Sequence, residues 1–254
     1  MHIEQYIPVA TLQPFIRSFM IIESEYAVQN QILPDTAVVM AFRLKGTVEE
    51  NDQGILPAAV LGGLRKTSRS LTYTDNTANL LIVFREDGAA AFFKEPMHEL
   101  FGGAVPLDNF IRRQQLDDVT EQLAAAESKQ ACIDIIQSFL LKIIHQQTKP
   151  DLLIQEAVRS IRHAGGNLRI KDLLPALHIS QDAFEKRFRK TTGASPKQFA
   201  SIVRLRSLIG RADTGTLTAL AYEAGYFDQA HFIKDFRSFT GKTPGEFYRS
   251  AIYW

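Results

Sequence analysis

The sequence holds one cysteine, Cys132, among 254 residues. A single thiol closes no intrachain disulfide and supplies no cysteine-rich zinc site, so disulfide-stapled scaffolds and zinc-finger modules are excluded. Long apolar runs are missing too. No uncharged apolar stretch approaches the ~18 residues that a membrane-spanning helix requires, so no membrane partner is expected. The opening MHIEQYIPVA lacks the basic-then-apolar plan of a secretory leader. Together these absences set the expectation of a cytoplasmic protein in a reducing compartment. Hydrophobic residues at 45% and charged residues at 22% exclude disordered and collagen-like chains and leave enough apolar material for real cores. The length fits about two domains at ~150 residues each.

Catalytic signatures are equally scarce. Met97-His98-Glu99 opens like a zinc-protease helix, but the second histidine that should follow His98 by four residues is absent. His2, His145, His163, His178 and His231 are scattered without metal-ligand spacing. Gly241-Lys242-Thr243 looks like the end of a phosphate-binding loop. The glycine required five residues earlier is Phe236, however, and a helix rather than a strand precedes it. Cys132 lies on an apolar helical stripe, where a lone thiol reads as core. No catalytic residue, metal site or cofactor is expected, and the chain reads as a non-enzyme.

Charge of either sign is nearly balanced, at +1 overall. The balance hides an asymmetry that appears when the chain is cut at Pro150. Residues 1–150 carry 13 basic against 18 acidic side chains, a net of −5, while residues 151–254 carry 16 against 10, a net of +6. An acidic module joined to a basic one suggests that the second half meets a polyanion.

What the basic half does contain is a repeat. Residues 180–199, SQDAFEKRFRKTTGASPKQF, align without a gap on residues 228–247, DQAHFIKDFRSFTGKTPGEF, at an offset of 48. Nine of the twenty pairs are identical: Gln181/Gln229, Phe184/Phe232, Lys186/Lys234, Phe188/Phe236, Arg189/Arg237, Thr192/Thr240, Gly193/Gly241, Pro196/Pro244 and Phe199/Phe247. Phenylalanines four apart put an aromatic stripe on one helix face. Gly193 and Gly241 sit where that helix should end in a left-handed cap. Ser195-Pro196 and Thr243-Pro244 pair an N-cap hydroxyl with proline at the first helical position, so a new helix starts there. Residues 170–179 pair with 218–227 in the same register. Each repeat is thus a short helix, a tight turn and a second helix, the helix-turn-helix plan.

The second helix of each repeat has two faces. Phe184, Phe188 and Thr191 should pack inward, as should Phe232 and Phe236. Asp182, Lys186, Arg189 and Lys190 fall on the other side with Glu185 flanking, and Ala230, Lys234 and Arg237 do so in the second copy, flanked by His231 and Ile233. Such cations are either a solvated face or a DNA-contacting one, and their recurrence on both copies favours DNA. A connecting helix at about 196–211 buries Val203, Leu205, Leu208 and Ile209. Its sixteen residues span about 24 Å at ~1.5 Å per residue. With the offsets inside each motif, it can set two recognition helices into grooves ~34 Å apart.

At these residues the chain resembles the AraC/XylS family of bacterial transcription regulators. LHISQDAFEKRFRKTTGASPKQF is similar to that family's first helix-turn-helix and GYFDQAHFIKDFRSFTGKTPGEFYR to its second, with Gly225, Phe232, Phe236, Gly241, Pro244 and Arg249 where the family expects them. The resemblance implies sequence-specific binding of double-stranded DNA and transcription regulation. It implies base-facing roles for Asp182, Glu185 and Lys186, and for Gln229, Ala230, His231 and Lys234. Arg189, Lys190 and Arg237 would then face phosphates. RNA polymerase, a homodimer partner and a small-molecule effector are further implied partners. Two departures stand out. Pro175 falls inside the first helix of the first motif, where it removes a hydrogen bond and kinks or shortens the helix. Ala230 replaces a common serine, leaving at most an apolar contact such as one to a thymine methyl. Some relatives carry a DNA-repair methyl-acceptor module, which needs several cysteines and does not fit a chain with one.

The acidic half reads as β-rich. Residues 36–44, TAVVMAFRL, alternate, with Val38, Met40, Phe42 and Leu44 on one side. Residues 69–74 alternate too, Asp75-Asn76 signals a turn, and residues 80–84 form a continuous β-rich run. A short helix over AAAFF is expected before Pro96. The stretches from ILPDTAVVMAF to LLIVFREDGAAAFF resemble an N-terminal sensory or assembly domain often attached to such regulators. Arg43, Arg65 and Arg85 are candidates to meet an anionic effector, with surface salt bridges as the alternative. Cys132, Ile135, Ile136, Phe139, Leu140 and Ile143 form an apolar stripe that is either core or a dimer seam.

The expected fold class is an α+β N-terminal β-rich domain followed by an all-α C-terminal domain with two helix-turn-helix motifs. The first spans residues 1–112, a helical connector spans 113–149, and the DNA-binding region spans 150–254. Its motifs lie at about 170–191 and 218–239, and its first helix covers about 151–164. The alternative is a ligand- or partner-binding module that regulates mainly by protein contact, with weak DNA affinity.

Overall fold

The computed structural model describes residues 1–51, 54–144, 150–209, 221–222 and 224–249. Among them, alternating and apolar segments of the first half pair into ten antiparallel strands: β1 (His2–Tyr6), β2 (Ile16–Ser24), β3 (Val28–Ile32), β4 (Val39–Lys45), β5 (Val48–Glu50), β6 (Gly54–Ile55), β7 (Ala59–Gly62), β8 (Arg69–Tyr73), β9 (Thr77–Phe84) and β10 (Ala104–Pro106). They form a six-stranded sheet in the order β1-β2-β9-β4-β7-β10 and a four-stranded sheet in the order β3-β8-β5-β6.

Strand β9 explains its own sequence. It lies between β2 and β4, with Leu80 opposite Ile21 and Phe42. A central strand covered on both sides is apolar throughout rather than alternating. Leu80, Ile82 and Phe84 belong to the main core, while Asn79 and Leu81 face the smaller sheet. In β4, Met40 and Phe42 are buried on the core side and Leu44 is half-buried. The helix expected over AAAFF is only a 3-10 turn, Ala89–Ala91, because Phe92 and Phe93 are drawn into the core against Phe84.

Helices α1 (Arg113–Ala124) and α2 (Lys129–Ile143) cover the large sheet. Cys132, Ile136, Phe139 and Leu140 are buried, and Phe139 meets Phe42 edge-on at 6.1 Å. Ile135 and Ile143 pack against the same core. The apolar stripe is therefore covered within the chain itself, and burial pushes the Cys132 thiol up from its ordinary value.

The second half is helical: α3 (Leu152–His163), α4 (Leu174–Leu177), α5 (Gln181–Thr192), α6 (Pro196–Ile209), α7 (Gln229–Thr240) and α8 (Pro244–Arg249). Pro175 shortens the first motif rather than kinking it. It sits in the first turn of α4, where its missing N–H removes no helical bond, and a 3-10 turn, Ile170–Asp172, precedes it. Residues 210–220 and 223 lie outside the described residues, and with them fall the last positions of the linker helix expected at about 196–211 and part of the 218–227 stretch expected to open the second motif. His145 lies outside them too. Among the described residues, no helix is long and apolar enough to cross a membrane.

One apolar core runs from Leu12 to Phe247 and so joins the sheet half to the helical half. Polar contacts add to it. Arg162 donates to Glu86 and, at 2.8 Å, to Thr36 Oγ1. Arg206 reaches the Pro34 carbonyl and Asp35, each at 3.0 Å. Gln155 donates to Asp87 at 3.0 Å; burial raises the Asp87 carboxyl above its ordinary value, and the Gln155 bond opposes that rise.

Candidate nucleic-acid interface

Sequence identity in the repeat becomes identity of hydrogen bonding. Ser180 and Asp228 cap α5 and α7, accepting from Ala183 N and His231 N. Each helix ends on a left-handed glycine, Gly193 at φ 91° and Gly241 at φ 79°. Thr192 Oγ1 lies 2.9 Å from the Phe188 carbonyl and 3.2 Å from that of Ala194. Thr240 Oγ1 lies 2.9 Å from Phe236 O and 2.8 Å from Lys242 O. Then comes a capping box in each copy. Ser195 exchanges bonds with Gln198, and Thr243 with Glu246. The Thr243 N–H and hydroxyl hold the Glu246 carboxyl below its ordinary range. Aromatic geometry repeats as well: Phe188–Phe199 and Phe236–Phe247 both meet edge-on at 5.4 Å.

This core fixes which side chains point out. Asp182, Glu185, Lys186, Arg189 and Lys190 on α5 are exposed, as are Gln229, Ala230, His231, Lys234 and Arg237 on α7. No ion pair among the described residues engages Lys186, Arg189, Lys190, Lys234 or Arg237, so five cations remain free for a polyanion. Thr191 is only half-buried. Thr192 takes the inward position instead, because its hydroxyl closes the last turn against Phe188.

Family comparison agrees with this geometry. Residues 173–250 match the model of a helix-turn-helix domain. This region is a helix-turn-helix domain of the AraC type. Residues 4–106 match a domain of unknown function (DUF6597). The Msm operon regulatory protein of Streptococcus mutans is 26% identical over 136 residues, covering 52% of this chain and 49% of that protein. The chain thus spans about half the length of this curated relative. ToxT from Vibrio cholerae has 12% sequence identity and a TM-score of 0.48, with 91% of this chain and 97% of that one covered. The xylose-binding transcription activator XylR has 22% identity and a TM-score of 0.36, covering 41% of this chain and 28% of that one.

Two positions on the recognition helices of the AraC-type domain escape a reading from spacing alone. Arg187 looks like one more outward cation, yet it forms a two-pronged pair with Asp151 at 2.7 and 2.8 Å, and Asp151 also caps α3. Its counterpart 48 residues on is Asp235, which lies 3.8 Å from Arg204 of α6. Arg204 in turn stands 4.4 Å over the Tyr226 ring. Burial, partly offset by that arginine, pushes the Tyr226 hydroxyl up to about 12. Both recognition helices are thus pinned at the same repeat position, with the charges exchanged.

The three arginines considered for an effector do not converge. Arg43 lines a cavity of about 160 Å³ between the two sheets and donates to the Leu56 carbonyl at 2.9 Å. Arg65 is taken up by Glu50, at 2.8 and 3.3 Å, and burial lowers its pKa. Arg85 is elsewhere, donating to Gln13 O at 2.6 Å beside a cleft shared with α3. The cavity instead gathers Arg43, Arg69, Tyr73 and Asn79 among apolar walls that include Ala41 and Leu71. Asn79 is 7% exposed and its Nδ2 has no hydrogen-bond partner. Among the described residues no cluster of three or more His, Cys, Asp or Glu groups could hold a metal ion.

Proposed function

We propose that the chain is a sequence-specific, DNA-binding transcription regulator in which α5 and α7 enter successive major grooves. The observation that carries this reading is the repeat of one capped, Phe-anchored helix with free cations on its outward face. Asp182, Glu185, Lys186, Gln229, Ala230, His231 and Lys234 face base edges in this reading, and Arg189, Lys190 and Arg237 face phosphates. A cytoplasmic location, RNA polymerase and a second copy of the chain as partners follow from it, as does action by binding rather than catalysis.

The N-terminal domain modulates the reader. The cavity between its sheets suits a small, mostly apolar molecule bearing an acceptor such as a carbonyl or carboxylate. The unpartnered Asn79 amide and the Arg43 guanidinium would meet that group, since a buried donor left unmade costs ~1–3 kcal/mol.

Fluorescence anisotropy of the full chain on a duplex selected by it from a random pool tests the DNA reading. Lys234→Ala should relax preference at one base position, costing ~1–3 kcal/mol there. Arg237→Ala should weaken all sequences alike and reduce the salt slope by ~0.9. No binding to any duplex at ~50 mM salt, where the counterion term is strong, would sink the proposal and leave regulation by protein contact.

A further inference from the structure

We propose that the N-terminal domain supplies a DNA contact of its own, Lys66, which meets the phosphate backbone spanning the two major grooves. The inference rests on the DNA reading above and extends the interface beyond the AraC-type domain.

Between α5 and α7 runs a groove of about 800 Å³ with α6 along it. Glu185 and Arg189 line it from α5, Lys197 and Arg204 from α6, and His231 and Asp235 from α7. Lys66 and Phe101 of the N-terminal half reach the same groove. Two helices seated in successive grooves on one face of a duplex leave the intervening backbone opposite whatever lies between them. That stretch carries one negative charge per ~1.7 Å of helix axis.

The charge of the groove fits such an occupant. Lys66, Arg189 and Lys197 are exposed and make no ion pair among the described residues. Asp235 is already engaged, 3.8 Å from Arg204 and 3.7 Å from His231. Glu185 is the remaining carboxylate named above, so cations outnumber anions.

Lys66 is also held at this place rather than trailing from a tether. It sits on the loop between β7 and β8. Two residues on, Ser68 N donates to the Phe239 carbonyl at 3.0 Å, near the end of α7. Gln31 Nε2 lies 2.9 Å from Ser68 Oγ and 2.7 Å from the Thr240 carbonyl. At the other end of the loop, Gly63 approaches Leu100 so closely that any Cβ would strike its carbonyl. The loop is therefore fixed at one end to the N-terminal half and at the other to the end of α7.

The test uses full-length protein and the selected duplex, with anisotropy measured from ~50 to ~300 mM salt. Lys66→Ala should lower the magnitude of the slope of log K against log salt by ~0.9 and weaken every sequence by the same several-fold factor. Lys66→Arg should restore both. Lys45→Ala, which removes the same charge from the exposed end of β4, should leave the slope unchanged. If Lys66→Ala behaves like Lys45→Ala while Arg237→Ala lowers the slope, the Lys66 contact is overturned and the DNA reading stands. If Arg237→Ala also leaves the slope unchanged while the duplex binds, the Lys66 contact is overturned all the same and Arg237 is no phosphate contact either; if no duplex binds at ~50 mM salt, the DNA reading fails and the Lys66 contact with it.

Discussion

Replacing Ala41 by isoleucine tests the cavity between the two sheets as a physical space. Ala41 sits in β4 opposite Val60 and Leu81, and it lines the cavity. Isoleucine adds three carbons, each worth ~0.8 kcal/mol when taken from water, or about 2.4 kcal/mol together. Fixing the new side chain takes back ~0.5–1 kcal/mol of rotamer entropy, while β-branching suits a strand. The space of about 160 Å³ exceeds what three added carbons occupy, so the larger side chain fits without overpacking. A net gain of about 1–2 kcal/mol is expected. Urea unfolding followed by far-ultraviolet circular dichroism should show a higher midpoint with an unchanged slope. A loss of more than about 1 kcal/mol, the signature of overpacking, would refute the cavity and the effector site built on it.

Other outcomes follow from the helical repeat and from the first strand. Thr240→Val removes the hydroxyl that serves Phe236 O and Lys242 O, and should destabilise by ~1–3 kcal/mol, as should Thr192→Val at the equivalent place. Urea midpoints that stay at the wild-type value would show that these hydroxyls leave the helix ends unaffected. Lys129 lies 2.6 Å from Glu4 and 2.7 Å from Glu23, bridging α2 to β1 and β2. Its hydrogen bond, followed by those of Tyr6 and His2, holds the Glu4 carboxyl at about 2 instead of 4.5. A carboxyl lowered by folding contributes stability above its unfolded value and loses it as pH falls, here between about 4.5 and about 2. Lys129→Met should move the Glu4 midpoint back toward 4.5 in a carboxyl-carbon NMR titration. An unmoved midpoint would show that the ammonium is not the cause.

Much of the helical half was legible because its signals are local. A cap acts within one turn, a left-handed glycine at one residue, and a Phe stripe over four, so Ser180, Gly193, Phe184 and their partners 48 residues on could be read directly. The apolar alternation of β4 and the run in β9 were legible for the same reason. Strand β2 was not, since IRSFMIIES has neither a clean alternation nor an unbroken apolar run. The pairing of Arg187 with Asp151 was also out of reach, because a cation destined for an internal partner has the same pattern as one left for solvent.

Local signals in the chain specify a duplicated helix-turn-helix with two inward aromatic faces and two outward cationic ones. Tertiary packing determined which outward charges stay free and what stands beside them. Arg43, Arg65 and Arg85 scatter to three places because strand register and domain docking, not spacing, set their neighbours. Ala41, Tyr73 and Asn79 converge on one cavity because β4, β8 and β9 fall in two facing sheets. Lys66 reaches the groove between the recognition helices because the loop after β7 is hydrogen-bonded to the end of α7. Each of these depends on contacts between residues far apart in the chain, which no local periodicity records.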